Sequence, residues 1–281
     1  MKIAVSVEST NDLTKELLKE YDIKVIPYQI VLGEKTFKDG EIATEELFAY
    51  VDDNGVLPKT NAINEYEYTE YFESLKKDYD AVVHVCLSSG LSSSCSNAIR
   101  AAQKLKNVFV VDSLSLSTGI GLLAIYAREL VNQGYLAADV AKMVEQRVNK
   151  LQVSFVIERL DYLYKGGRCN ALSLLGANLL KIRPRIVVKN GKMGSDKKYR
   201  GTMGKVVNKY CIEVLEEFNT PDLDKVFITY TTATPEMVAA ARRAVTDAGF
   251  KHIYETHAGC TIASHCGGNT LGILYFNDGS K

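Results

Sequence analysis

The stretch Val83-His84-Val85-Cys86-Leu87-Ser88-Ser89-Gly90-Leu91-Ser92-Ser93-Ser94-Cys95-Ser96-Asn97-Ala98-Ile99 decides the fold. It reads as a buried strand that stops at a run of hydroxyls and enters a helix. Ala81 to Leu87 is a short apolar run, suited to an interior parallel strand. Gly90 predicts a tight turn with unusual backbone angles. Ser92 to Ser94 cap a helix that continues through Ala98, Ala101, Ala102 and Leu105. A helix start has unpaired N–H groups, and several hydroxyls beside them make a place for a carboxylate or phosphate. Capping alone accounts for one serine, not for a run of them. Strand-to-helix turns of open α/β sheets are also where ligands usually sit.

Outward from that stretch the pattern repeats. Lys2 to Val7 is a strand, and Ser9, Thr10 and Asn11 then cap a helix running to about Tyr21. Lys24 to Leu32 reads as a second strand, with Gly33-Glu34 turning it into a small hairpin. Thr44 opens a helix that Asn54-Gly55 and Pro58 break. Lys59-Thr60-Asn61-Ala62-Ile63-Asn64 is a polar loop before a helix from Glu65 to about Lys77. Val108 to Asp112 is another strand, running into the hydroxyl-rich turn Ser113 to Thr118 and an unusually apolar helix. Ala138 to about Lys150 is an amphipathic helix. This alternation predicts a parallel three-layer α/β half.

After residue 150 the style changes. Strands are expected at Val153 to Ile157, Arg185 to Lys189, Lys192 to Tyr199, Lys225 to Tyr230, Ile253 to Thr256 and Gly272 to Phe276. Asn190-Gly191 is a strong hairpin signal. Helices are expected over Ala171 to Leu180, Lys205 to Phe218 and Thr234 to Gly249. The fold class is therefore α/β in two subdomains, 1–150 with a parallel sheet and 151–281 with a mixed sheet.

Composition narrows the function. The chain has 281 residues, 46% hydrophobic and 24% charged, an ordinary globular balance. Formal net charge is +0, so no global field favours nucleic acid. The six cysteines show no CxxC spacing and read as reduced thiols. The first residues already form a strand, so no signal peptide is expected, and no apolar run approaches the roughly 20 residues of a membrane span. A cytoplasmic protein is the expectation.

Three hydroxyl-rich turns, Ser9-Thr10, Ser88 to Ser94 and Ser113 to Thr118, stand at parallel strand ends, with Thr60 in a fourth polar loop. They are expected to converge on one sheet edge. Hydroxyls and N–H groups suit a carboxylate held without a strong ion pair. The Gly-x-Ser-x-Gly elbow of a hydrolase needs a glycine where Ser94 stands, and no histidine is paired with Ser92 by spacing. Lys165-Gly166-Gly167-Arg168 lacks the spacing of a nucleotide phosphate loop. In His265-Cys266-Gly267-Gly268-Asn269-Thr270-Leu271-Gly272 the glycines mark backbone packed close to something. Lys197 to Arg200 is either a solvated hairpin edge or a docking patch. No spacing of His, Cys, Asp and Glu supports a metal. Residues alone lead to a two-domain α/β protein binding a small anion with an apolar body. The apolar helices line a cleft or are simply core.

The ordered set of motifs resembles the DegV family. Val7-Glu8-Ser9-Thr10-Asn11-Asp12-Leu13 is similar to its Asp-Ser-Thr-Ala-Asp-Leu opening. Leu87 to Ser93 is similar to its Leu-Ser-Ser-x-Leu-Ser-Gly-Thr loop, and Val111-Asp112-Ser113 to its strand end. Leu160 to Arg168 matches its Leu-x-x-Leu-x-Lys-Gly-Gly-Arg segment, with Leu180 to Pro184 and His265 to Gly272 as later landmarks. The resemblance spans almost the whole chain. It implies a non-catalytic protein with no cofactor that buries a long-chain fatty acid, of the palmitate or oleate class, in a tunnel between two subdomains. It implies a carboxylate held by Thr60 and Ser92, with His265, Arg168 and Ser93 in support. It implies an ATP-dependent fatty acid kinase as partner, docking at Arg200 to make an acyl phosphate for phospholipid synthesis, with transient membrane contact. The chain differs from the family pattern at Glu8, at Asn61 to Asn64, at Ser93-Ser94 and at Gly268-Asn269. Two other readings compete: a stand-alone serine esterase or acyltransferase using Ser92, and a sensor of a small carboxylate.

Overall fold

The structure, a computed structural model, describes residues 1–169 and 182–279. The helix expected over Ala171 to Leu180, and the Leu180-Lys181 part of its motif, lie outside the described residues.

Two main sheets carry the molecule. The first contains β1 (Ile3–Glu8), β2 (Ile23–Ile26), β6 (Ala81–Cys86) and β7 (Val108–Asp112), in the order β2-β1-β6-β7 and all parallel. Every residue of β1 and of β6 is buried, as expected of central strands covered on both faces. The second contains β8 (Leu151–Val156), β9 (Arg183–Lys189), β10 (Lys192–Tyr199), β11 (Lys225–Tyr230), β12 (His252–His257) and β13 (Leu271–Phe276), in the order β10-β9-β8-β13-β11-β12. Only β11 and β12 pair in parallel there, so this sheet is mixed. The change from one sheet to the other falls between Val148, the end of α6 (Ala137–Val148), and Leu151.

The apolar helix α5 (Thr118–Asn132) lies between the sheets, against β1 and β6 on one side and β8 and β13 on the other. Its Ile120 and Leu123 join one core with Val5, Val83 and Val111 of the first sheet and Phe155, Phe227 and Leu274 of the second. Gly121 permits that approach, since a Cβ there would stand 2.7 Å from Leu13 Cδ2. A second core holds α8 (Met203–Glu217) and α9 (Pro235–Asp247) against the mixed sheet.

Two expectations need correction. The strand read over Lys24 to Leu32 is two strands in two sheets. β2 ends before Pro27, and β3 (Gln29–Leu32) pairs antiparallel with β4 (Lys35–Lys38) and β5 (Lys59–Asn61) in a separate small sheet. Proline cannot donate to a ladder, so the chain leaves the first sheet there. The helix read from Ser9 is a single 3-10 turn over Ser9–Asn11, followed by α1 (Lys15–Glu20), which Thr14 caps by accepting from Leu17 N.

Candidate functional site

The serine turn follows β6 as the sequence predicts, and α4 (Ser94–Gln103) follows it. Gly90 lies in the expected turn, but without the unusual, positive-φ backbone. Its lack of a side chain is needed for packing: a Cβ would lie 2.5 Å from the carbonyl oxygen of Gly191. Gly191 belongs to the β9–β10 turn, where Asn190 and Gly191 both have positive φ (50° and 75°), as a two-residue hairpin with the sheet's twist requires. Ser88 Oγ donates to Gly191 O at 2.7 Å, which joins the serine turn to the mixed sheet.

An apolar cavity of about 270 Å³ opens beside this turn. Leu87, Leu91, Leu116, Met193 and Ile262 supply its greasy wall, and Thr60, Ser92, Ser93, Arg168 and His265 its polar groups. A second apolar space of about 30 Å³, bounded by Phe155, Tyr230 and Leu274, shares Leu116, Ile262 and Cys266 with it. These three residues form a common wall between the two spaces.

The polar groups come from separate elements. Thr60 lies in β5, not in a loop, paired with Ile30 of β3. Its Oγ1 is 2.9 Å from His265 Nε2. His265 sits in α10 (Cys260–Cys266), whose first N–H groups are held by Asp39, which accepts from Cys260 N at 2.9 Å and Thr261 N at 3.3 Å. Burial, and then the charge of Arg168, hold the His265 imidazole down at about 4. The ring is therefore neutral near pH 7. Ser92 Oγ accepts from Tyr28 OH at 3.2 Å and from Ser94 N at 3.2 Å. Ser93 is the cap residue of α4 and lines the cavity beside it. Arg168 is exposed at the rim, with one guanidinium nitrogen donating to Gly166 O at 2.6 Å.

The expected convergence of all three hydroxyl-rich turns does not occur. Ser9 Oγ donates to Asp39 and accepts from Tyr28 N, so it braces the framework. Ser113 Oγ donates to Ser115 O, and Thr118 Oγ1 lies 2.6 Å from Thr229 Oγ1 of the second sheet. Only Leu116 of the third turn reaches the cavity. Short polar side chains bond most readily to their own turn, so hydroxyl density overstates what faces a ligand. The glycines after His265 do pack closely, with a Cβ on Gly267 falling 2.9 Å from the Tyr162 ring. Arg200 is elsewhere, in a surface cleft with Lys198, Lys205 and Lys209.

Sequence reasoning missed Tyr28. It is buried, lines the cavity and is the hydroxyl donor to Ser92, and burial pushes its phenol well up. The signal for it was Pro27, which ends β2 and frees the next residue from both ladders. Among the described residues no histidine hydrogen-bonds Ser92: His265 is on Thr60, and His84 is on Ser6.

Parallel and mixed sheets beside an apolar cavity edged with hydroxyls define an α/β protein with a ligand-sized space. A family model described as an uncharacterised protein, DegV family, matches residues 2–278. The chain belongs to the DegV family. A fatty acid-binding protein of Thermotoga maritima is 30% identical over 281 residues, covering 97% of this chain and 96% of its own. A solved DegV family protein of Thermus thermophilus, described by its fatty acid binding, superposes with a TM-score of 0.89 at 26% identity, over 98% of this chain and 99% of its own. The solved DegV of Bacillus subtilis, described as a fatty acid binding protein, gives 0.86 at 27% identity over 98% and 99%.

Proposed function

We propose that this chain binds a long-chain fatty acid without transforming it. The acyl tail lies along Leu87, Leu91, Leu116 and Ile262 toward the second space. The carboxylate lies at Thr60 and Ser92, with Ser93, His265 and Arg168 in support. The observation that carries the reading is the cavity itself, where leucine, isoleucine and methionine side chains share one space with Thr60, Ser92 and Ser93. The solved relatives described as fatty acid binding support it.

The physics divides the labour. A chain of about sixteen carbons buries many CH₂ groups at roughly 0.8 kcal/mol each. Hydroxyl contacts contribute about 1 kcal/mol apiece. The wall supplies affinity and the hydroxyls supply orientation. A neutral His265 suits that role, since it fixes Thr60 without forming an ion pair that would trap the head group.

We further propose that the oriented carboxylate is presented to an ATP-dependent kinase, which docks over the basic cleft around Arg200 and makes an acyl phosphate for phospholipid synthesis. In this reading residues 1–150 carry the serine turn and Thr60, and residues 151–281 close the tunnel over them. Loading involves brief membrane contact by a chain that works in the cytoplasm. Among the described residues no helix is long and apolar enough to cross a membrane.

Mass spectrometry of the denatured purified protein tests the binding. Release of palmitate or oleate is expected. An acyl adduct on Ser92 would establish the esterase reading instead, and a short acid the sensor reading.

A further inference from the structure

Beneath the serine turn, away from the cavity wall, lies a sealed polar cluster. Glu8 ends β1, and His84 and Cys86 lie in β6 beside it, all three fully buried. One ligand atom from each falls within 4.8 Å of the other two. His84 Nε2 is buried without a hydrogen-bond partner, and it points at Glu8 Oε1 from 3.8 Å. That is too long for a hydrogen bond and suits two atoms sharing one ion. Among the described residues no lysine or arginine is paired with Glu8, whose buried carboxyl is held by a phenol and a backbone N–H and stands beside the imidazole.

The surroundings hold each donor in place. His84 Nδ1 lies 2.6 Å from Ser6 Oγ, which in turn is 3.1 Å from Tyr71 OH. Metal-bound histidines almost always use their second nitrogen in this way. Glu8 accepts from Tyr68 OH at 2.6 Å and from Leu87 N at 2.7 Å. The rings of Tyr68, Tyr71 and Phe72 pack edge-on against His84 and wall the cluster off.

We propose that Glu8, His84 and Cys86 bind a structural zinc ion. Imidazole, thiolate and carboxylate together are a donor set zinc accepts; with three protein donors a water would complete the tetrahedron, and the fully buried setting favours a structural over a catalytic ion. Glu8 also holds Leu87 N at the entry to the serine turn, so the ion braces the loop that carries Ser92. Pairwise spacing in the sequence does not show this site, because the first ligand and the other two are about eighty residues apart and meet through strand pairing, Ser6 beside His84 and Val7 beside Val85.

The protein is unfolded in denaturant with a chelator, then refolded with Zn²⁺ or with Co²⁺ and desalted. About one metal per chain is expected by elemental analysis, with a higher Tm than chelator-refolded protein. The Co²⁺ form is expected to show a thiolate-to-cobalt charge-transfer band. Cys86→Ser is expected to lose that band, and His84→Gln to lose the metal. Absence of bound metal from wild-type protein refolded with Zn²⁺ overturns the proposal. So does a cobalt spectrum without thiolate character, a reading that does not depend on any variant folding.

Discussion

Thr60 Oγ1 and His265 Nε2 stand 2.9 Å apart although 205 residues separate them in the chain. Thr60 comes from an edge of the small antiparallel sheet, and His265 from the helix before the last strand of the mixed sheet. Their bond closes the hydroxylic end of the cavity. The neutral ring can donate to, or accept from, the threonine hydroxyl, which leaves that hydroxyl aimed by its partner.

Removing both head-group hydroxyls separates affinity from presentation. Thr60→Ala with Ser92→Ala is expected to keep much of the palmitate affinity, losing about 1 kcal/mol per hydroxyl. The same variant is expected to be dead as a substrate for the kinase. Calorimetric binding and a phosphorylation assay measure the two; undiminished phosphorylation would count against presentation by these residues.

Tyr28→Phe removes the donor to Ser92 and leaves the ring in place. The stability cost is expected to be about 1 kcal/mol in a urea titration. The bound acid is expected to lose orientation, seen as slower phosphorylation at nearly unchanged affinity.

Gly166→Ala tests the support of His265. The backbone there has ordinary helical angles (φ −69°), so the change carries no conformational strain. A Cβ would stand 2.7 Å from His265 Nδ1 and 2.9 Å from Tyr162 O. Movement of the ring cannot relieve the carbonyl contact, so the end of the helix shifts together with His265, which releases Thr60 and lowers stability. The expected result is the same loss of presentation as Thr60→Ala, together with a shift of the His265 titration toward the ordinary value near 6.5.

His265 also sets a pH dependence. Its folded pKa of about 4 lies below that of the unfolded chain, about 6.5. A base whose pKa is lowered on folding contributes stability that is complete above the unfolded value. That share is lost as pH falls from 6.5 toward 4, because the unfolded state then binds the extra proton. Histidine NMR should show one ring titrating near 4, and His265→Gln should flatten this part of the stability profile. A His265 midpoint near 6.5 would contradict the buried, neutral ring.

Ile262 stands in the wall between the larger cavity and the smaller one. Ile262→Trp is expected to block the tail's passage and to cost about 1–3 kcal/mol of stability through overpacking. The acids recovered by mass spectrometry should shift to shorter chains. Unchanged chain length would place the tail elsewhere.

Much of this was legible in the sequence. The serine turn after β6, the apolar helix α5, the Asn190-Gly191 hairpin and the change of style near residue 150 are local signals, written in periodicity and turn residues within a few positions. Pro27 was legible too, but its consequence was not, because a strand break and a change of sheet look alike in one dimension. Hydroxyl-rich turns drew attention in proportion to their composition. Ser9, Ser113 and Thr118 turned out to brace the framework, and Tyr28, a lone aromatic between two strands, turned out to face the cavity.

The sequence by itself determined most of the elements, their order and the family, since these rest on short-range patterning that any fold must obey. Only the tertiary structure decided which side chains meet. Thr60 reaches His265, Tyr28 reaches Ser92, and Glu8 reaches His84 because sheet pairing and the packing of α5 bring distant strands together. The approach of Glu8 to His84 depends on strand register, and a shift of one residue there would turn one side chain to the other face; the other two contacts depend on how turns and α10 are carried against the strands.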